Sequence, residues 1–191
     1  LMTHLARHHD ITAISLVDDG FDAEECRHAM REYCSEVVLI PNPGGRHGAT
    51  KRLLQLRSLA SAHSFERLHL SVAALQPALD RVLLGRRFDV VNLEFPYLAH
   101  LRFRQSPLGT PAPPVVLDTH EIAYDLARQM ARGNASPGRR IYGEVNWRKL
   151  RDEELSAFRS ADGVCACSAA DEARILADVP SAHTTVIPNA A

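Results

Sequence analysis

Apolar residues in this chain gather in short runs separated by longer amphipathic stretches. Residues 11–17 (ITAISLV) are apolar and β-branched between charged flanks, the pattern of a buried strand. Asp18-Asp19-Gly20 closes that run. Residues 36–40 (EVVLI), 88–94 (FDVVNLE), 114–118 (PVVLD), 163–168 (GVCACS) and 184–187 (TTVI) repeat the pattern. Between them, residues 22–34, 49–62, 72–85, 121–132, 139–159 and 169–177 read as helices. Asp22 stands near the start of the first of these helices, and Ser168 where the N-cap of the last belongs. Residues 49–62 carry Leu53, Leu54, Leu56 and Leu59 mostly on one face. Gly133, Pro137 and Gly138 interrupt the helical pattern before 139–159, and Pro96 cuts the strand that precedes it. Residues 106–114 hold four prolines and one glycine and read as a connection; residues 1–10 read as the end of a helix.

Strands alternating with helices predict a parallel sheet covered on both faces. Continuous apolar strands fit that double burial better than alternating ones. The expected fold is therefore α/β: a doubly wound, Rossmann-like parallel sheet in three α/β/α layers, one domain over residues 1–191. A chain of that length can bury a sizeable core. No apolar run approaches the roughly 20 residues that span a bilayer.

Charge and cysteine content narrow the function. A formal net charge of −1 gives no reason to expect a nucleic-acid partner. Arg139, Arg140 and Arg151 are balanced by Glu144, Asp152, Glu153 and Glu154, the mark of a solvated helix face. Lys51, Arg52 and Arg57 on an amphipathic helix leave open a peripheral contact with anionic lipid, against the commoner reading of a solvated face. Cys26, Cys34, Cys165 and Cys167 form no C-x-x-C pair and read as free thiols of a reducing cytosol. The histidines form no zinc pattern, so no metal is expected.

Open α/β sheets bind ligands at the carboxyl ends of their strands. Four such ends carry polar groups. Asp118-Thr119-His120-Glu121 offers a histidine able to hydrogen-bond a sugar hydroxyl or phosphate, or to act as a base; capping of the next helix is the alternative. Glu94 and Tyr97 end another strand, suited to accept from hydroxyls and to stack on a sugar ring, or else to be a solvated carboxylate and a half-buried aromatic. Residues 41–48 (PNPGGRHG) place Arg46 after two glycines, an anion-holding arrangement that is neither G-x-G-x-x-G nor a Walker loop and otherwise reads as a surface loop. Ser168 and Asn189 follow the last two strands, where a helix cap and a strand terminator are the simpler readings.

The same stretches, in order, resemble the N-terminal domain of GT-B glycosyltransferases of the family 4-like group. Residues 5–12 (LARHHDIT), 87–94 (RFDVVNLE), 115–121 (VVLDTHE), Glu154 with Ala161-Asp162-Gly163-Val164 and Cys167-Ser168, and Val186-Ile187-Pro188-Asn189 carry the likeness, which spans nearly the whole chain. The resemblance implies two Rossmann-like domains with the reaction between them, acceptor on this side and nucleotide-sugar donor on a C-terminal domain. It implies transfer of a hexose with retention of anomeric configuration and without a catalytic metal. The acceptor would be a glycan, a lipid-linked sugar or a small molecule, and the location cytoplasmic or peripheral on the inner membrane face. His120 matches a histidine that lies near the transferred sugar in the family. Glu94, Tyr97, Asp118, Glu121, Arg46, Ser168 and Asn189 are the expected substrate-binding residues. The family's first strand and glycine-rich loop would precede Leu1, and its donor domain would follow Ala191, so the chain alone is expected to be inactive. Ala190 stands where the family often has glycine. A sugar-nucleotide epimerase, which needs poised carboxylates, and a non-catalytic α/β binding domain are the alternatives.

Overall fold

The computed structural model describes residues 2–42, 48–133 and 136–188. Within them the predicted alternation holds. Helix α1 (Met2–Leu5) leads into β1 (Thr12–Asp18), α2 (Ala23–Met30) and β2 (Glu36–Asn42). Helices α3 (Gly48–Ala60), α4 (Phe65–Leu70) and α5 (Leu75–Gly85) precede β3 (Val91–Leu93), and a 3-10 turn (Pro96–Leu98) follows it. Then come β4 (Val115–Thr119), α6 (Ala123–Arg132), α7 (Pro137–Ser160), β5 (Gly163–Ala166), α8 (Ala169–Asp178) and β6 (Thr184–Val186).

Every strand pairing among the described residues is parallel, as the continuous apolar runs require. β1 and β2 form one sheet, from Thr12 opposite Glu36 to Asp18 opposite Asn42. β3, β4, β5 and β6 form a second sheet in that order. The consequence for burial is direct. β4, flanked on both sides, buries Val115, Leu117 and Thr119, whereas every residue of β1 stays half-buried.

Two cores follow from two sheets. The larger sets Leu117 and Val164 of the central strands against Leu150, Leu155 and Phe158 of α7 and Ile175 of α8. The smaller packs Ile40 of β2 against Leu75 and Ala78 of α5, with Ile14 and Leu16 beside them. Helix α7 is the spine of the larger core. Pro137 does not interrupt it but occupies its first turn, where proline's missing N–H costs nothing. Gly143 lets α6 cross closely: a Cβ there would lie 2.7 Å from the Ala131 Cβ. At the other end, Asp162 accepts a hydrogen bond from the Val115 N–H at 2.7 Å, tying the α7–β5 turn to the start of β4. Arg104 pairs with the same carboxylate at 3.1 Å.

Several sequence-based boundaries shift; the helix expected over 22–34 ends at Met30, where Arg31 takes the C-cap. The strand expected over 88–94 shortens to Val91–Leu93, because Val90 and Asp89 lie exposed outside the ladder. The strand expected over 163–168 ends at Ala166, since Ser168 is drawn into capping α8. Helix 72–85 begins at Leu75, and the separate α4 before it is capped by Ser64, whose hydroxyl accepts the Arg67 N–H at 3.1 Å.

Candidate functional site

β3 ends at Leu93 and β4 at Thr119, with Leu93 opposite Leu117 in the ladder. This register brings Glu94, Phe95, Asp118 and His120 to one edge of the sheet. His120 Nε2 lies 3.1 Å from Glu94 Oε2. The other Glu94 oxygen accepts from the Asn92 side-chain amide at 2.8 Å, which fixes the carboxylate plane. The Phe95 ring lies 5.5 Å from the imidazole, tilted across it, and stacks in turn on Tyr97 with centroids 6.0 Å apart. About half of each charged side chain, 45% for His120 and 50% for Glu94, faces solvent. A ligand therefore has access to both.

The backbone that carries His120 is held from three sides. Thr119 Oγ1 donates to the Cys165 carbonyl at 2.8 Å. The Cys167 thiol donates to the His120 carbonyl at 3.2 Å. Just beyond, the amides of Ala123 and Tyr124 at the start of α6 donate to the Glu154 carboxylate at 3.2 and 2.9 Å. Glu154 is fully buried, and that burial pushes its carboxyl up to about 7 against the pull of the two amides. No side chain of the 118–122 segment caps α6, whose N-cap is Ile122. The capping role that the sequence left open for Asp118 or His120 thus falls to Glu154, and the imidazole is left free over the sheet edge. Asp118, half-buried beside this pair, has its carboxyl raised, first by burial and then by the charge of Glu94.

A family model described as Glycosyltransferase Family 4 matches residues 1–191. The chain belongs to glycosyltransferase family 4. No curated protein and no solved structure matches it. Membership supports a glycosyltransferase function for the protein that carries this domain, with sugar-related substrates.

Within the family 4 domain the other anticipated residues fall differently. Tyr97 sits half-buried against the larger core, and burial lifts its phenol well above the ordinary tyrosine range. The exposed aromatic face beside His120 belongs to Phe95 instead. Glu121 is exposed, one residue beyond the histidine. Ser168 caps α8, its hydroxyl accepting the Asp171 N–H at 3.1 Å. Arg46 and Asn189 lie outside the described residues. Among the described residues no group of three or more His, Cys, Asp or Glu side chains is placed to hold a metal ion, and no helix is long and apolar enough to cross a membrane. The described cysteines are free thiols.

Sequence reasoning missed Phe95 and Asn92 as parts of the site. The signal was present: both stand within two residues of Glu94, and period-2 alternation along the strand read over 88–94 puts Asn92 and Glu94 on one face. Glu154 carried the family likeness, but its contact with α6 is 30 or more residues distant and no local pattern reveals it.

Proposed function

We propose that this domain is the acceptor-side half of a retaining glycosyltransferase, moving a hexose from a nucleotide sugar held by a C-terminal domain to a glycan, lipid-linked or small acceptor. The observation that carries the reading is the Glu94–His120 pair with Phe95, exposed at the carboxyl edge of two adjacent parallel strands. A carboxylate only accepts, so the hydrogen shared at 3.1 Å sits on Nε2. That leaves Nδ1 of the neutral ring to accept from a sugar hydroxyl, and of the imidazolium to donate to one. Glu94 sets the ring's tautomer and orientation, as an outer partner does for many functional histidines. Phe95 offers a sugar ring an apolar face at the same edge. Catalysis in this scheme is positional and electrostatic: the domain holds the acceptor hydroxyl on the face of the donor sugar from which the nucleotide diphosphate departs, as retention requires, and positive charge and amide donors on the donor side receive that diphosphate. No metal enters the scheme. We place the enzyme in the cytoplasm.

One observation favours a second reading. Asp118 and Glu94 are two carboxylates around one histidine, with the Asp118 carboxyl raised, the kind of pair that proton abstraction from a sugar nucleotide needs. The two readings separate in one experiment: the parent enzyme is incubated with nucleotide sugar and acceptor in deuterated water, and the product is followed by proton NMR. Transfer with retained anomeric configuration and no ring deuterium supports glycosyl transfer. Deuterium on a ring carbon, without transfer, overturns it in favour of epimerisation. Neither change overturns both and leaves a binding domain.

A further inference from the structure

Helix α3 has an exposed face that nothing in the larger or smaller core uses. Its sequence, GATKRLLQLRSLA, contains Lys51, Arg52 and Arg57 and no acidic residue. At about 100° per residue, Ala49, Leu53, Leu56 and Ala60 fall within about 60° of one another on its surface. Leu53 is 67% exposed, Leu56 64% and Leu59 44%. Arg57 flanks this stripe on one edge and Arg52 on the other. The opposite face is the anchored one: the Ser58 hydroxyl lies 3.3 Å from the Tyr142 hydroxyl of α7, and Lys149 of α7 donates to the Ser58 and Ser61 carbonyls at 2.5 and 2.6 Å. The leucines thus point outward by construction. Beside Tyr142, the first turns of α7 add exposed Arg139, Arg140 and Ile141 to the neighbourhood.

We propose that α3 is a docking helix for an anionic lipid surface, its leucines entering the interface and Arg52 and Arg57, with the cations of the α7 N-terminus, meeting lipid phosphates. The charge pattern selects this occupant. A second copy of the chain across a two-fold axis would lay Arg52 and Arg57 against their own images, like charge on like. An uncharged apolar partner would leave the cations unpaired, whereas an anionic bilayer takes both parts of the stripe at once. The inference stands apart from the sugar-transfer reading, because lipid binding is measured without turnover. If both hold, the domain works at the surface where a lipid-linked acceptor resides.

Flotation with vesicles tests it. The 191-residue chain is mixed with phosphatidylcholine vesicles and with vesicles in which about a third of the lipid is phosphatidylglycerol. The chain should float with the anionic vesicles and stay behind with the neutral ones. The Arg52→Gln/Arg57→Gln variant should lower the partition coefficient about 25-fold, at roughly fivefold for each cation. Leu53→Ser/Leu56→Ser should lower it by more than about tenfold. Thermal unfolding should be unchanged in both variants, since the substituted side chains are outside the cores. Three results would each overturn the proposal: no flotation with anionic vesicles, flotation unaffected by the leucine substitutions, or a wild-type dimer in solution that the leucine substitutions dissociate.

Discussion

At the residue scale, two carboxylates that contact the 120–124 stretch act in opposite ways. Glu94 is half-exposed, so its contact with His120 contributes little to stability, about 0–1 kcal/mol. In the proposed scheme its work is orientation. Glu94→Gln should leave the unfolding temperature unchanged and lower turnover of the parent enzyme about tenfold or more, because an amide can donate to Nε2 and so permit the other tautomer; parallel kinetics and thermal melts check this. Glu154 is fully buried and its carboxyl sits near 7 rather than the ordinary 4.5. Between those values the folded chain holds a proton that the unfolded chain has released. Stability from this group is therefore greatest below about pH 4.5, falls as pH rises, and is fully lost above about 7, by about 3 kcal/mol. His100, whose imidazole burial holds low, works against this slope near its own range. The difference between wild type and Glu154→Gln isolates the carboxyl: in urea melts from pH 4.5 to 7.5 the variant should gain relative stability steadily, and a flat difference would show that Glu154 carries no such penalty.

At the element scale, the α6–α7 crossing decides where His120 stands, because Glu154 on α7 grips the first amides of α6. Gly143→Ala tests the crossing. Helix propensity favours alanine by about 1 kcal/mol, but its Cβ would meet the Ala131 Cβ at 2.7 Å, and overpacking costs about 1–3 kcal/mol. The collision should win, giving a net loss of about 1 kcal/mol in a denaturant melt, whereas a stabilised variant would mean that the helices can part freely. Asp162→Ala removes the acceptor of the Val115 N–H and should cost about 1 kcal/mol by the same assay, the ordinary worth of one hydrogen bond. These elements also show what was legible in advance. The β-branched runs at 11–17 and 114–118 announced themselves, because each is short and mostly apolar between turn or charge signals. Helix α4 did not: six residues are too few for periodicity to show, and its cap at Ser64 lies in a run of small polar residues. Pro137 misled because proline breaks a helix interior yet suits a first turn, and the sequence does not say which applies. Of the site, His120 and Glu94 were visible as polar residues at strand ends, but their meeting depends on β3 lying beside β4, which is a property of strand order.

At the scale of the whole molecule, the sheet in two pieces makes the protection of its strands unequal. β4 has partners on both sides, so all its amides should exchange slowly. Among the described residues β1 is paired only with β2, and in a parallel ladder alternate amides point each way. Hydrogen exchange should therefore show alternate β1 amides opening far faster than those of β4; uniform protection of β1 would mean that its second edge is covered. The account depends on His120, which the strand-edge geometry sets beside Glu94. The decisive measurement is turnover of the parent enzyme carrying His120→Ala beside the wild type, with thermal unfolding of both. The account predicts turnover lower by about 100-fold or more, the range of a lost positioned acid–base group, at an unchanged unfolding temperature. Wild-type turnover in the variant would contradict it.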